Sequence, residues 1–300
     1  MSTFDRLGDD ARIVDRSYRP YDGERGGVGT SVRATMVHAI QRSLGIKRTI
    51  WQKVLPIFSV GIAFVPAIVF IGVAALFKDA KPENFPTYAE YYGFVTAAIV
   101  IFTSFVAPEV LCTDRRTGML GLYLASPLDR NTYLLAKCAA VGSVLAIVTT
   151  GPLLLMLIAY TLLGAGPGSV GDWMVTLVRI LASGLAISAL HTSLSLAVSS
   201  FTSRRAAASA TIILLLFASN IVVSALADPE SGAGWSPNLI VFDLFVLPFT
   251  LVFHIFGQGS DLGDVFVDVP VAVIALANIG WVVLFSTIVW WRYRKITVTR

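Results

Sequence analysis

Glu109 to Lys137 reads EVLCTDRRTGMLGLYLASPLDRNTYLLAK. The stretch separates two long apolar runs and is basic at both ends, with Arg115 and Arg116 near its start and Arg130 and Lys137 near its close. Its middle, Met119 to Leu124, spells a short helix with an apolar side. Asp129 is placed to cap a helix that begins at Arg130, because a carboxylate accepts from the free N–H groups of a first turn. A polar segment with an apolar centre, held between two membrane spans, has the character of a docking element. In that reading Leu120 enters a partner's apolar groove.

Composition fixes the solvent. Of 300 residues, 55% are hydrophobic and 14% charged, against about 25% charged in soluble domains. Mean hydropathy is +0.74. A soluble fold of this size lacks the polar surface to cover so much apolar area. The class is an all-α integral membrane protein, with the lipid bilayer as its surroundings. The net charge of +4 is spread over several loops, so it reports topology and not a nucleic-acid partner.

Six apolar runs each reach the roughly 20 residues that cross a bilayer. They are Trp51–Phe77, Tyr91–Leu111, Leu134–Leu163, Trp173–Ser199, Ala206–Ala227 and Val271–Trp291. Pro56 and Pro66 predict kinks in the first, Pro108 an end to the second, and Pro152 a kink in the third. Residues 1–29 are polar and read as a disordered cytoplasmic tail. Residues 30–50 read as a basic amphipathic helix in the interface plane, with Thr30 or Ser31 as its N-cap. The transmembrane domain then covers 51–292, with a cytoplasmic loop at 112–133, an outer segment at 228–269 and a short tail at 293–300.

Asn238–Phe256 is as apolar as a span, and charge decides how it is counted. With six spans and the N-terminus inside, all of the 23 Lys and Arg except Lys78, Lys81 and Arg179 are cytoplasmic or flank a span on that side. Both termini are then cytoplasmic, as expected for a multi-pass protein of the plasma or inner membrane. A seventh span would send Arg292, Arg294, Lys295 and Arg300 out, against the positive-inside rule. The segment therefore enters and returns on one side as a re-entrant hairpin broken at Pro248, or lies flat on the outer surface.

No catalytic motif is present: there is no P-loop, no G-x-S-x-G and no H-E-x-x-H. His191, Thr192, Ser193 and Ser195 share one helix and read as a hydroxyl-rich packing face. Cys112 and Cys138 read as buried, inert thiols. Three ionisable groups fall in apolar runs and must face protein or water. Glu109 has Arg115 and Arg116 nearby as partners. Arg179 snorkels outward or lines the path, where Asp243 is its candidate partner.

The run PEV-x3-DRRTGMLGLYLASPLDRNTYLLAK resembles the membrane subunits of type-2 ABC exporters. The matching positions are Glu109, Arg115, Arg116, Gly118, Leu120, Tyr123, Ser126, Pro127, Arg130 and Lys137. The six spans, the helix before the first and the re-entrant segment before the last are similar to the same family, so the likeness covers about residues 30–295. The resemblance implies a permease that pairs with a second permease subunit, as a homodimer, and with two ABC ATPase subunits. ATP and Mg would be bound by those ATPases, with no cofactor in this chain. It implies that the 112–133 loop is a coupling element, with Glu109, Arg115, Arg116, Gly118, Leu120, Tyr123 and Arg130 at the ATPase. Arg179, Asp243 and Pro248 are the candidate translocation-path or gate residues. The competing readings are an ion-coupled secondary transporter, an intramembrane enzyme and a non-transporting membrane scaffold. Against the first stand the few intramembrane carboxylates, since proton relays need them, and the second lacks convergent polar groups.

Overall fold

The computed structural model describes residues 23, 26–46, 50–77, 87–227, 237–259 and 269–296. Most of the 1–29 tail, Lys78, Lys81 and most of the acidic outer loops lie outside these residues, as do the last four of the 293–300 tail.

All regular structure among the described residues is helical. In chain order it comprises α1 (Val28–Ser43), α2 (Ile50–Leu76), α3 (Tyr88–Ile101), a π-turn (Phe102–Val106), α4 (Pro108–Thr117), α5 (Met119–Leu124), α6 (Arg130–Leu162) and α7 (Val170–Phe201). Then come α8 (Arg205–Ala227), a 3-10 helix (Pro237–Phe242), α9 (Leu247–Phe256) and α10 (Val271–Lys295). Among the described residues six helical stretches are long and apolar enough to cross a membrane: Lys53–Leu76, Tyr88–Thr117, Arg130–Leu162, Val170–Phe201, Arg205–Ala227 and Val271–Lys295. These are the six runs read from the sequence. Their outer faces carry large apolar side chains such as Ile68, Leu185, Leu214 and Leu276, each more than half exposed, as contact with lipid requires.

α6 and α7 pack along each other at the centre, with α2 and α3 on one side and α10 on the other. Small residues let them approach. At Gly184 a Cβ would lie 2.0 Å from Thr150 Cγ2, so only glycine fits the crossing. His191 is buried, with Nδ1 2.9 Å from the Ile187 carbonyl. Ser195 Oγ donates to the Thr103 carbonyl at 3.0 Å. The hydroxyl face is a packing face.

Three local expectations change. Pro108 does not end the second span. Its missing N–H and its ring are accommodated by the π-turn just before it, and the helix resumes through α4 to Thr117. α1 starts at Val28 behind Gly27, with no side-chain cap, so Thr30 and Ser31 lie inside the helix. Its buried face is Thr35, Ala39 and Ser43, one residue in four, packed on α6 and α4. Val37 is exposed, and Cys138 is also exposed while Cys112 is buried.

Asn238–Phe256 is broken, but not by Pro248. The 3-10 helix stops at Phe242 and the chain turns over 243–246 before α9. Asp243 makes the turn: its Oδ1 accepts from the N–H groups of Phe245 and Val246, both at 2.9 Å. Pro248 follows in the first turn of α9, where a missing N–H is tolerated. The turn lies well inside the bundle, with Phe245 stacked on Phe217 of α8 and Phe249 edge-on to His191 of α7. The two ends lie near helix starts. Ile240 clusters with Val269 and Ile274, and Phe256 stacks on Tyr88.

Candidate functional site

The stretch between the second and third spans builds the most connected polar centre among the described residues. α4 ends where Gly118 adopts φ +68°, a left-handed turn that glycine makes without strain. The chain then enters α5. α5 spans Met119–Leu124, the segment expected from sequence, and Asp129 caps α6 with its carboxylate 2.7 Å from the Thr132 N–H. The Thr132 hydroxyl, with that backbone bond, holds the Asp129 carboxyl below its usual range. The cap therefore contributes at any pH above the ordinary carboxylate value and fades only as pH falls through the depressed one.

Asp114, one residue before the arginine pair, is the hub. Its side chain is 1% exposed. Oδ1 accepts from Arg42 Nη1 of α1 at 2.6 Å. Oδ2 lies 2.7 Å from Lys137 Nζ of α6 and accepts from Tyr133 Oη at 2.9 Å. The ammonium of Lys137 also sits over the rings of Tyr123 and Tyr133, 4.9 and 5.3 Å from their centroids, a cation–π arrangement that favours the charge in a dry site. Burial, with Asp114 close by, pushes the Tyr123 hydroxyl above its usual range, opposed by Arg42, so Tyr123 stays neutral. Thus α1, α4 and α6 are joined through one carboxylate, and α5 joins them through Tyr123, which packs against Lys137 and Tyr133.

The sequence-predicted residues distribute around this hub. Leu120 is buried in the protein's own core, 8% exposed, while Leu122 on the same short helix is 66% exposed. The outward apolar residue of α5 is therefore Leu122. Arg116 and Gly118 are exposed beside it. Arg115 donates to the Ser200 carbonyl at the end of α7. Glu109 makes an ion pair with Arg205 of α8 at 2.8 Å, where neighbours in sequence had pointed to Arg115 or Arg116. Arg205 Nε also donates to the Phe105 carbonyl of the π-turn, at 2.9 Å. Arg130 Nη1 donates to the carbonyls of Tyr293 and Arg294, at 3.1 and 2.6 Å, which fastens the start of α6 to the end of α10.

The second candidate group does not converge. Arg179 Nη1 reaches the Phe256 carbonyl at 3.4 Å, at the far end of α9 from Asp243. Asp243, 1% exposed, accepts on Oδ2 from Asn220 Nδ2 at 2.9 Å. The candidate Arg179–Asp243 pairing is not formed, and Asp243 faces protein. Among the described residues no cluster of three or more His, Cys, Asp or Glu could hold a metal ion.

Residues 31–296 match the sequence profile of the ABC-2 family transporter proteins. The chain belongs to the ABC-2 transporter family. As a member, it is a multi-pass transport membrane subunit and not itself an enzyme. No curated protein matches it significantly.

Sequence reasoning in this ABC-2 permease had passed over Asp114. The signal was there: Lys137 in an apolar run needs a buried anion, and Asp114 and Glu109 are the nearest acids on the adjoining helix. Because the carboxylate compensates two cations, Asp114→Asn should lower stability by about 3–5 kcal/mol. Adding Lys137→Met should restore part of it, since the stranded ammonium is then gone. Thermal unfolding in detergent, followed by tryptophan fluorescence, measures both. Equal stability of Asp114→Asn and wild type would show that the cluster carries no such energy.

Proposed function

We propose that this ABC-2 permease is the membrane half of an ATP-driven exporter whose ATPase is a separate chain docking on α5. The observation that carries the reading is α5 itself. It is a short helix between the second and third spans that exposes Leu122, with its base clamped to α1 and α6 through Asp114. A clamped helix transmits a push, whereas a loose loop absorbs it.

In this reading two copies of the permease form a homodimer, and two ATPase subunits bind ATP and Mg on the cytoplasmic side. Leu122 enters an apolar groove of the ATPase, with Arg116 beside it and Gly118 as the bend that presents the helix. Glu109, Arg115 and Arg130 brace the element from behind, onto α8, α7 and α10, and Leu120 and Tyr123 seat it on the core. α5 and both termini are cytoplasmic, as the basic flanks favour, in the plasma or inner membrane. ATPase closure rocks the helices that meet at Asp114, and cargo leaves outward.

The broken segment is read as a re-entrant hairpin entering from the outer side. Asp243 holds its turn, Pro248 starts its returning arm, and Arg179 ties that arm to α7 near the outer mouth as a gate contact. The support is that both ends approach helix starts at one end of the bundle while the turn packs deep. Non-helical backbone at such depth requires protein cover, and Asp243 has it. α1 lies along the membrane surface on the cytoplasmic side.

Two measurements test these assignments. Leu122→Asp should fold normally, because the site is exposed, yet cut ATPase co-purification about tenfold or more by placing an unpaired charge in an apolar groove. ATPase binding at the wild-type level would remove α5 as the docking point. Separately, cysteines introduced at 238 and 258 in a Cys138→Ser background should both react with an impermeant maleimide from outside the cell. Labelling of one of them only from the cytoplasm would make the segment a seventh span.

A further inference from the structure

A cavity of about 300 Å³ opens between α6, α7 and α10 at the end of the bundle that also carries α5. Its walls are apolar: Leu135 and Cys138 of α6, Leu196 of α7, and Val289 and Trp290 of α10. Leu135 is 65% exposed and Trp290 40%, so the cavity opens sideways, toward the surface that meets lipid.

Its mouth is cationic. Arg294 sits with its guanidinium carbon 3.9 Å from the Trp290 ring centroid, directly over a wall residue. Arg130 reaches the Arg294 carbonyl at 2.6 Å, and its neighbour Asn131 lines the cavity. Lys295 follows, 3.8 Å over Trp291. The ion pairs among the described residues involve none of the three, and the nearby Asp129 carboxylate is committed to Thr132.

We infer that this groove is a binding site for one anionic phospholipid of the adjacent leaflet. The acyl chain lies in the α6–α7–α10 cavity, and the phosphate sits between Arg130 and Arg294. Basic pockets between spans at this level suit anionic headgroups, and an apolar slot continuous with them fixes the chain, which a surface patch of cations does not. The volume is at the small end for ligand sites, so it holds part of one chain and leaves the rest in the bilayer. A second copy of this protein is the poorer occupant. Two-fold packing through this face would bring two sets of Arg130, Arg294 and Lys295 together.

The site concerns the permease alone, so it is tested without an ATPase or a transport assay. Purified full-length protein is titrated with dioleoyl phosphatidylglycerol, or with dioleoyl phosphatidylcholine, and adducts are counted by native mass spectrometry. The wild type should bind the first phosphatidylglycerol at least about tenfold more tightly than phosphatidylcholine. Arg294→Gln with Lys295→Gln should erase that preference. Cys138→Trp, which fills the slot from an exposed position, should weaken the first phosphatidylglycerol about tenfold with the cations intact. Glycerol phosphate, the headgroup without chains, should bind at least a hundredfold more weakly than the lipid. Equal affinity of the wild type for the two lipids overturns the site. So does loss with the charge variant but not with Cys138→Trp, which would mean diffuse attraction. A dimer that takes up no lipid until Cys138→Trp separates it would make the groove a contact between copies.

Discussion

Everything at the α5 end of this bundle depends on one carboxylate kept out of water. Asp114 meets a guanidinium, an ammonium and a phenol within 2.9 Å, the first from α1 and the other two from α6. Desolvating these groups is costly, and their mutual attraction repays it only where the geometry is tight. Such a cluster is a poor source of stability compared with apolar packing, but it is a strict condition on position. If α1, α4 or α6 moves by an ångström or two, a buried charge is left without its partner. The three elements that meet there must move as one body, and Tyr123 holds α5 against it.

A second constraint lies just above, in the π-turn. Pro108 has no N–H, so the carbonyl of Thr103, five residues earlier, has no donor in the π pattern. Ser195 of α7 donates to it, and Arg205 of α8 donates to the Phe105 carbonyl. A proline that should weaken the second span instead frees an acceptor that ties it to α7, and the neighbouring Phe105 carbonyl ties it to α8. Arg205 then carries on to Glu109. The second span is thus fastened to α7 and α8 by its irregular turn and to α1 and α6 by Asp114. It is the span through which force applied at α5 would reach the rest of the bundle.

The fold was legible because apolar run length and loop charge are one-dimensional signals, and the six spans fall where those signals put them. α5 was legible for a similar reason, since a polar loop with an apolar centre has few other uses between spans. What the sequence hid was orientation. A six-residue helix has apolar residues on more than one side, and only the packing of Leu120 inward leaves Leu122 outward. Long-range partners were hidden too. Glu109 meets Arg205, and Asp114 meets Arg42, across separations that no local spacing rule covers. The break at Asp243 was misassigned to Pro248 because proline is the stronger breaker in general. Here an Asp that accepts from two successive N–H groups shapes the turn, and the proline merely starts the next helix.

If Asp114 and Lys137 lock α1 to α5, the two helices move as one unit in the proposed ATPase cycle. Spin labels at two exposed positions, Val37→Cys on α1 and Leu122→Cys on α5, in a Cys138→Ser background, report their separation by pulsed electron resonance. Such a lock gives one narrow distance distribution, unchanged between the nucleotide-free protein and its ATP-bound complex with the ATPase, and broadened by Asp114→Asn. A wild-type distance that shifts with nucleotide, or a distribution that Asp114→Asn leaves narrow, would contradict it.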